Sequence, residues 1–122
     1  MGLTFVTATV SGPIGRKRSL RFLVDSGASY TVLPATVWKP IGLRSKRTLT
    51  FTLTDGTELR RKISDCLIRY NGLEGHTPVV LGEPGDQPLL GAVTLEILGL
   101  VLNPFSRSLQ PMRLMMASQN QE

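Results

Sequence analysis

The sequence has few of the residues from which nucleophilic and metal-dependent catalytic sites are built. Its 122 residues include one cysteine, Cys66, and one histidine, His76. A single cysteine excludes an intrachain disulfide, and the two residues support neither a Cys–His nucleophile pair nor a zinc site. We therefore interpret Cys66 as a small residue of the core and His76 as a solvated loop residue.

Long apolar runs are also missing. No run approaches the roughly 20 residues that a membrane-spanning helix needs. Residues 1–4 lack the basic start and the apolar core of a signal peptide. We expect a cytoplasmic protein without a membrane partner. A chain of this length forms one domain with a modest core, and the sequence contains no internal repeat.

Positive charge exceeds negative charge. There are 14 Lys and Arg residues against 9 Asp and Glu, concentrated in residues 16–18, 44–47 and 60–62. Such clusters can bind nucleic acid. Aromatic residues, however, make up only 6% of the chain and do not alternate with the basic ones. We interpret the clusters as solvated surface and expect no nucleic-acid partner, with nucleic-acid binding left as an open alternative.

One loop stands out from the rest of the chain. Asp25 follows the apolar residues 22–24 directly and is itself followed by Ser26, Gly27 and Ala28. A carboxylate in that setting is held at the end of a core strand and presented on a tight loop, with room for another backbone beside it. The alternative is an ordinary turn, because Asp, Ser and Gly are all favoured in turns.

Two such carboxylates, brought together, can share one proton. The ionised one takes a proton from water while the protonated one donates to a carbonyl oxygen, and like charges about 3 Å apart maintain this mixed state. In such a pair Ser26 can donate a hydrogen bond across or within the loops. Gly27 permits a backbone conformation closed to other residues and lets its N–H approach the carboxylate. Ala28 keeps the floor of the site small.

Residues 22–28, with Val32 and Leu33, closely resemble the active-site loop of aspartic proteases. That pattern is an apolar run, Asp-[Thr/Ser]-Gly-[Ala/Ser/Thr], a polar pair and an apolar pair. About 65 residues later, residues 87–91 are similar to the apolar-apolar-Gly element of retropepsins, the single-domain members of this group. The resemblance implies that Gly91 lets this strand pass close under the Asp25 loop.

A short helix is expected directly after that element. Residues 92–98 carry apolar side chains at helical spacing, and Gly99 is typical of a helix stop. The remaining strands are short, so we predict a mostly β fold. The resemblance implies a closed retropepsin-like barrel with one short C-terminal helix. We assign residues 1–110 to this domain and residues 111–122 to a tail that is either a dimer strand or disordered.

A hairpin is expected in the middle of the chain. Residues 48–54 alternate strictly between polar and apolar, and Asp55-Gly56 is a strong hairpin signal. By resemblance this hairpin is the flap that covers a bound peptide, with its tip at Thr54, Asp55, Gly56 and Thr57. The tip is shorter and more polar than is typical of the family. The apolar phase slips near residues 64–65, which predicts a bulge or a bend.

The later segments give weaker signals. Residues 71–75 have the composition of a loop, residues 78–81 that of a strand, and residues 101–102 that of the last core strand. Glu83 and Asp86 fit either a solvated pair or a substrate pocket that favours basic side chains.

Together these features predict an aspartic endopeptidase. Since the chain has one Asp-Ser-Gly loop, the second carboxylate must come from a second copy, which makes the active form a two-fold homodimer. Asp25 of each copy would activate the water, and the resemblance implies no metal or organic cofactor. A peptide or protein substrate would lie extended in the cleft. The alternative is an inactive dimeric peptide-binding or scaffold domain of the same fold. The expected substrate-pocket residues are Val32, Leu81 and Leu89, beside Ala28.

Overall fold

Strands dominate the computed structural model, which describes residues 2–113. That part of the chain forms nine strands and two short helices. The elements, in chain order, are β1 Phe5–Ser11, β2 Lys17–Val24, β3 Thr31–Leu33, α1 Ala35–Trp38, β4 Arg47–Thr52, β5 Glu58–Tyr70, β6 Leu73–Leu81, β7 Leu89–Leu90, α2 Ala92–Leu98, β8 Leu100–Asn103 and β9 Ser108–Pro111.

Seven of the strands form one sheet, in the order β1-β2-β7-β3-β6-β5-β4, and β1 also pairs with β5. The two-residue strand β7 lies parallel to β2 and antiparallel to β3. Strands β8 and β9 form a separate antiparallel pair. The predicted mostly β architecture is therefore confirmed, and it is consistent with a retropepsin-like fold.

The core lies directly beneath the Asp25 loop. Strand β2 buries Phe22 and Val24 completely or nearly so, while Leu23 between them is half-buried, as expected where successive side chains point to opposite faces. Leu90 of β7 is also fully buried. Each large side chain buried in this way contributes about 1.5–3 kcal/mol to stability. The core therefore fixes the strand end from which the loop emerges.

Helix α2 spans Ala92–Leu98, as the sequence predicted. It buries Thr94, Leu95 and Leu98 against the sheet. Gly99 ends it in the left-handed conformation, with φ of 70°, which a glycine adopts without steric cost. The single turn α1 was not predicted as helix. Trp38 at its end donates its indole N–H to the Gly82 carbonyl oxygen at 2.8 Å.

The predicted hairpin forms between β4 and β5, with Thr52 opposite Glu58. Its tip is closed by a hydrogen bond from the Leu53 N–H to the Thr57 carbonyl oxygen at 2.7 Å. The apolar phase slips as predicted, but without a bulge: β5 pairs with β6 residue by residue from Ile63 to Tyr70. The slip arises because the buried face of β5 changes. Ile63 and Ser64 are adjacent and both buried, so they point to opposite faces.

One prediction about the later strands is wrong. Residues 71–75 are not a loop, because β6 begins at Leu73 after a two-residue turn in which Asn71 and Gly72 have φ of 48° and 81°. These left-handed conformations match the twist of a tight hairpin. The last core strand, expected at residues 101–102, is β8, and β9, which follows it and contains no fully buried side chain, was not predicted. The predicted boundary at residue 110 falls inside β9, and the tail from residue 114 onward lies outside the described residues.

No helix within residues 2–113 combines the length and the apolar character required to cross a bilayer.

Candidate active site

The backbone of Asp25 is anchored while its side chain faces outward. Strand β2 ends at Val24, and the next N–H, that of Asp25, donates to the Leu90 carbonyl oxygen at 3.0 Å. Asp25 itself is exposed in the single chain, as are Ser26 and Gly27. The parallel hydrogen bonding between β2 and β7 therefore continues one residue past the end of β2. It fixes the backbone of Asp25 directly beside the core.

Gly27 closes the loop onto the carboxylate. Its N–H donates to Oδ1 of Asp25 at 3.0 Å, and the Ala28 N–H donates to the Asp25 carbonyl oxygen at 3.1 Å. The expectation that Gly27 needs a conformation closed to other residues is wrong, because its φ lies outside the left-handed region. Space is the constraint instead, since a Cβ at Gly27 would lie 3.3 Å from Oδ1 of Asp25.

Gly91 lies directly under the other end of the loop. A Cβ at this position would be 2.6 Å from the carbonyl carbon of Tyr30 and 2.9 Å from the carbonyl oxygen of Ser29. Those atoms belong to the backbone and cannot rotate away. The close approach implied by the resemblance is thus present here, and it requires glycine.

The start of α2 is bonded to the same loop. The N–H groups of Ala92 and Val93 donate to the carbonyl oxygens of Ala28 and Ser29 at 2.8 and 3.0 Å. The first N–H groups of a helix have no partner within the helix. The loop supplies these partners, so loop and helix stabilise each other.

Three buried threonine hydroxyls connect the loop to the sheet. The Gly91 N–H donates to Oγ1 of Thr31 at 3.0 Å, which leaves the Thr31 hydroxyl proton for Oγ1 of Thr94 at 2.6 Å. Oγ1 of Thr77 lies 2.7 Å from Oγ1 of Thr94. All three side chains are essentially inaccessible to solvent. Buried polar groups are stable only when hydrogen-bonded, and this chain satisfies each of them. The sequence interpretation did not identify this network.

A cleft of about 520 Å³ lies between the loop and the β4–β5 hairpin. Ala28, Val32 and Leu89 line it as expected, but Leu81 does not. Leu81 belongs to the core, and its neighbour Val80 faces the cleft, because strand alternation puts the two on opposite faces. Asp86, for which the sequence left a pocket position open, also lines it, and the lining residues not predicted from the sequence are Ser29, Tyr30, Phe51, Leu53, Leu59, Arg61, Val80 and Gln87.

The hairpin covers one side of the cleft with its strands rather than its tip. The tip residues 54–57 are exposed and do not line the cleft, whereas Phe51, Leu53 and Leu59 do. The Phe51 ring contacts the Tyr30 ring edge to face, with centroids 6.0 Å apart and an interplanar angle of 83°. An aromatic contact of this kind contributes about 0.5–1.5 kcal/mol beyond area burial. It joins the hairpin to the loop.

Two groups near the hairpin and the core have perturbed acidities. The Thr57 hydroxyl and N–H, which bond to Asp55, lower the pKa of the Asp55 carboxyl. Burial, with a smaller contribution from the Asp65 charge, raises the pKa of the Cys66 thiol to about 12. Cys66 is therefore a neutral residue of the core at physiological pH, in agreement with its interpretation from the sequence.

Glu83 and Asp86 have different surroundings, because only Asp86 lines the cleft. Asp86 lines the cleft, and its Oδ2 accepts a hydrogen bond from the Glu83 N–H at 2.7 Å. The Glu83 side chain is exposed and does not line the cleft.

The loop, the close glycine and the covered cleft are the features that define an aspartic-protease domain. In agreement, a profile of the family described as gag-polyprotein putative aspartyl protease matches residues 10–96. The match covers most of the chain and includes the Asp25 loop, the hairpin and Gly91. The chain belongs to this family of aspartic-protease domains. No curated protein matches the sequence at a significant level.

Proposed function

We propose that the protein is an aspartic endopeptidase that works as a homodimer, with Asp25 of each copy in one shared site. The observation that carries the proposal is the exposed and hydrogen-bonded position of the Asp25 carboxylate. The carboxylate is exposed and accepts the Gly27 N–H at 3.0 Å, on a loop that Gly91 supports from below and whose Ala28 lines the cleft. The family match supports the same chemistry, and the β1–β5 pairing supports the closed barrel implied by the resemblance.

The second copy follows from the number of loops. The sequence contains one Asp-Ser-Gly, and in the single chain all three residues of that loop are exposed. The Ser26 side chain is exposed in the single chain, so its hydroxyl is available to donate across a two-fold axis. A C2 dimer brings the same surface of both copies together, and an axis that passes beside Asp25 would bring the two Asp25 side chains next to each other.

The reaction proceeds through a water held between the two carboxylates. The ionised Asp25 takes one proton from the water while the oxygen attacks the carbonyl carbon of the peptide bond. The protonated Asp25 donates its proton to the carbonyl oxygen, which gives a tetrahedral diol. Proton transfer to the amide nitrogen then breaks the C–N bond and releases an amine and a carboxylic acid. No metal or organic cofactor takes part in these steps.

The cleft would hold the substrate as an extended strand. Main-chain hydrogen bonds supply affinity in this mode, and alternate side chains enter pockets that supply selectivity. The apolar lining from Val32, Phe51, Leu59 and Leu89 suits large apolar side chains on both sides of the cleaved bond. The Tyr30–Phe51 contact keeps the hairpin over the cleft.

A second candidate is a dimeric domain that binds peptides without cleaving them. The observation that favours it is the hairpin tip, which is short, polar and exposed, so it offers a substrate little apolar cover. The intact Asp-Ser-Gly loop opposes this candidate, because a binding surface gains nothing from a pair of like charges.

Cleavage of a mixed peptide library between pH 4 and 8 separates the two. The wild type is expected to cut, Asp25→Asn is expected to lose all cutting, and Asp55→Asn is expected to retain it as a matched carboxylate-to-amide control on the exposed tip. Absence of cutting by the wild type, at a concentration where light scattering shows a dimer, would leave the binding domain as the function.

A further inference from the structure

One charged side chain of the hairpin, that of Arg61, lines the cleft. In the β4–β5 ladder Phe51 lies opposite Leu59, and Leu49 lies opposite Arg61. Leu59 and Arg61 are two residues apart, so they share a face of β5, and both line the cleft. Arg60 points to the other face and is exposed. Arg61 as a residue is half-buried, and it lies beside the apolar residues of the cleft, where a bound peptide would pass.

Arg61 has no acidic partner in the part of the chain that the structure describes. Ion pairs there join Lys46 to Asp65 and Arg69 to Glu74. The hydrogen bond of the Arg61 guanidinium within residues 2–113 runs from Nη1 to the carbonyl oxygen of Arg60, at 3.1 Å. A guanidinium has five N–H donors in a planar fork that matches a carboxylate. Most of these donors thus remain free to bind a ligand.

The other charged residue in the cleft, Asp86, is engaged elsewhere. Its Oδ2 accepts the Glu83 N–H at 2.7 Å and lies against the backbone of Gly82, where an added Cβ would approach it to 2.6 Å. This carboxylate is bonded to its own loop, so it is less available to a substrate than the guanidinium of Arg61.

We propose that Arg61 selects substrates with an acidic side chain. The preferred segment would be extended, with an Asp or Glu directed at Arg61 and large apolar residues in the neighbouring pockets. A carboxylate bonded to the guanidinium of Arg61 gains charge-assisted, bidentate hydrogen bonds that an amide or an ammonium group does not. This inference rests on the proposed use of the cleft for peptides.

The test uses synthetic peptides with a fixed Leu-Phe centre and Glu, Gln or Lys placed at each flanking position in turn. Cleavage gives kcat/KM for each peptide with the wild type, Arg61→Gln, Arg61→Glu and the control Arg60→Glu, which makes the same charge change on the outward face. Binding of the same peptides, labelled with fluorescein, to Asp25→Asn and to Asp25→Asn/Arg61→Gln is followed by anisotropy.

The wild type is expected to prefer Glu over Lys by about tenfold at one position. Arg61→Gln should remove that preference and Arg61→Glu should invert it, while Arg60→Glu should retain it. Cleavage without charge preference, or with a preference that the Arg61 variants keep, overturns the role of Arg61 and leaves the protease function standing. A preference for Lys that Asp86→Asn abolishes also overturns it.

The binding measurements separate this inference from the proposed catalysis. Absence of cleavage together with Glu-selective binding that requires Arg61 refutes the protease function and supports Arg61 as the selecting residue of a peptide-binding domain. Absence of cleavage together with absence of charge-selective binding overturns both.

Discussion

The Thr94 hydroxyl lies 2.6 Å from the Thr31 hydroxyl, and this contact joins the inside of α2 to the strand that leaves the Asp25 loop. Both side chains are fully buried and are separated by 63 positions in the chain. Since Thr31 also accepts the Gly91 N–H, the contact fixes three segments relative to one another. The position of the candidate catalytic loop is thus set by a polar contact inside the core.

Replacement of Thr94 by valine tests the importance of that contact. Valine has the same shape but leaves Thr31 and Thr77 without their buried partner, which should lower the free energy of unfolding by about 1–3 kcal/mol. Thr94→Ser retains the hydroxyl and is expected to lose less. Urea denaturation gives both values. Equal stability of wild type and Thr94→Val would show that the network contributes nothing to the fold.

Replacement of Gly91 by alanine tests the close approach beneath the loop. The added Cβ would lie 2.6 Å from a backbone atom of Tyr30, so loop and strand must separate. We expect a loss of about 2–3 kcal/mol, together with loss of peptide cleavage. Gly85→Ala is the matched control, because a Cβ there meets no atom within 4 Å and the φ is outside the left-handed region. Similar stabilities for the two variants would contradict the assignment.

Cys66 is expected to be unreactive in the native protein. Burial raises its pKa from the ordinary value of 9.0 to about 12, so at pH 8 it is a protonated thiol without solvent access. An aromatic disulfide reagent at pH 8 should modify it slowly in buffer and rapidly in urea. The folded pKa is above the unfolded one, so the contribution of Cys66 to stability is complete below pH 9 and is lost as pH rises towards 12. Rapid modification in buffer would mean that this part of the core opens.

The hairpin tip is expected to retain its charge across the working pH range. Hydrogen bonds from Thr57 hold the pKa of Asp55 below its ordinary value of 3.8. The folded pKa is below the unfolded one, so the contribution of these bonds is complete above pH 3.8 and is lost as pH falls through the lowered pKa. Asp55→Asn should therefore leave the pH dependence of cleavage between pH 4 and 8 unchanged. If the fall of activity on the acidic side began at a different pH in that variant, Asp55 would be shown to titrate together with the active site.

Local sequence was sufficient for the hairpin and for α2. Asp55-Gly56 and the flanking alternation specify a turn through neighbouring residues, and Gly99 can end a helix in any context. The relationship between Asp25 and Gly91 came from resemblance, since nothing in the spacing of two residues 66 positions apart brings them together. Predictions for the site were reliable where a short motif sets the backbone.

The remaining features of the site depend on tertiary packing. Thr31, Thr77 and Thr94 look like ordinary strand and helix residues, and only their joint burial makes them a network. Leu81 was expected in the cleft although Val80 lines it, because residues 78–81 are all apolar and their facing is set by the neighbouring strands rather than by their own pattern. The inward position of Arg61 was accessible from the sequence, since it follows Leu59 in the alternation of the hairpin.

The central claim is that one site is built from two chains, and subunit mixing tests it most directly. Wild type and Asp25→Asn would be mixed in varied proportions at constant total concentration, denatured together, refolded, and assayed for cleavage of one peptide. If each active site needs Asp25 from both copies, activity follows the square of the wild-type fraction and falls to about one quarter in an equal mixture. Activity that falls in proportion to the wild-type fraction, to about one half in that mixture, would show that each chain acts alone and would contradict the shared site.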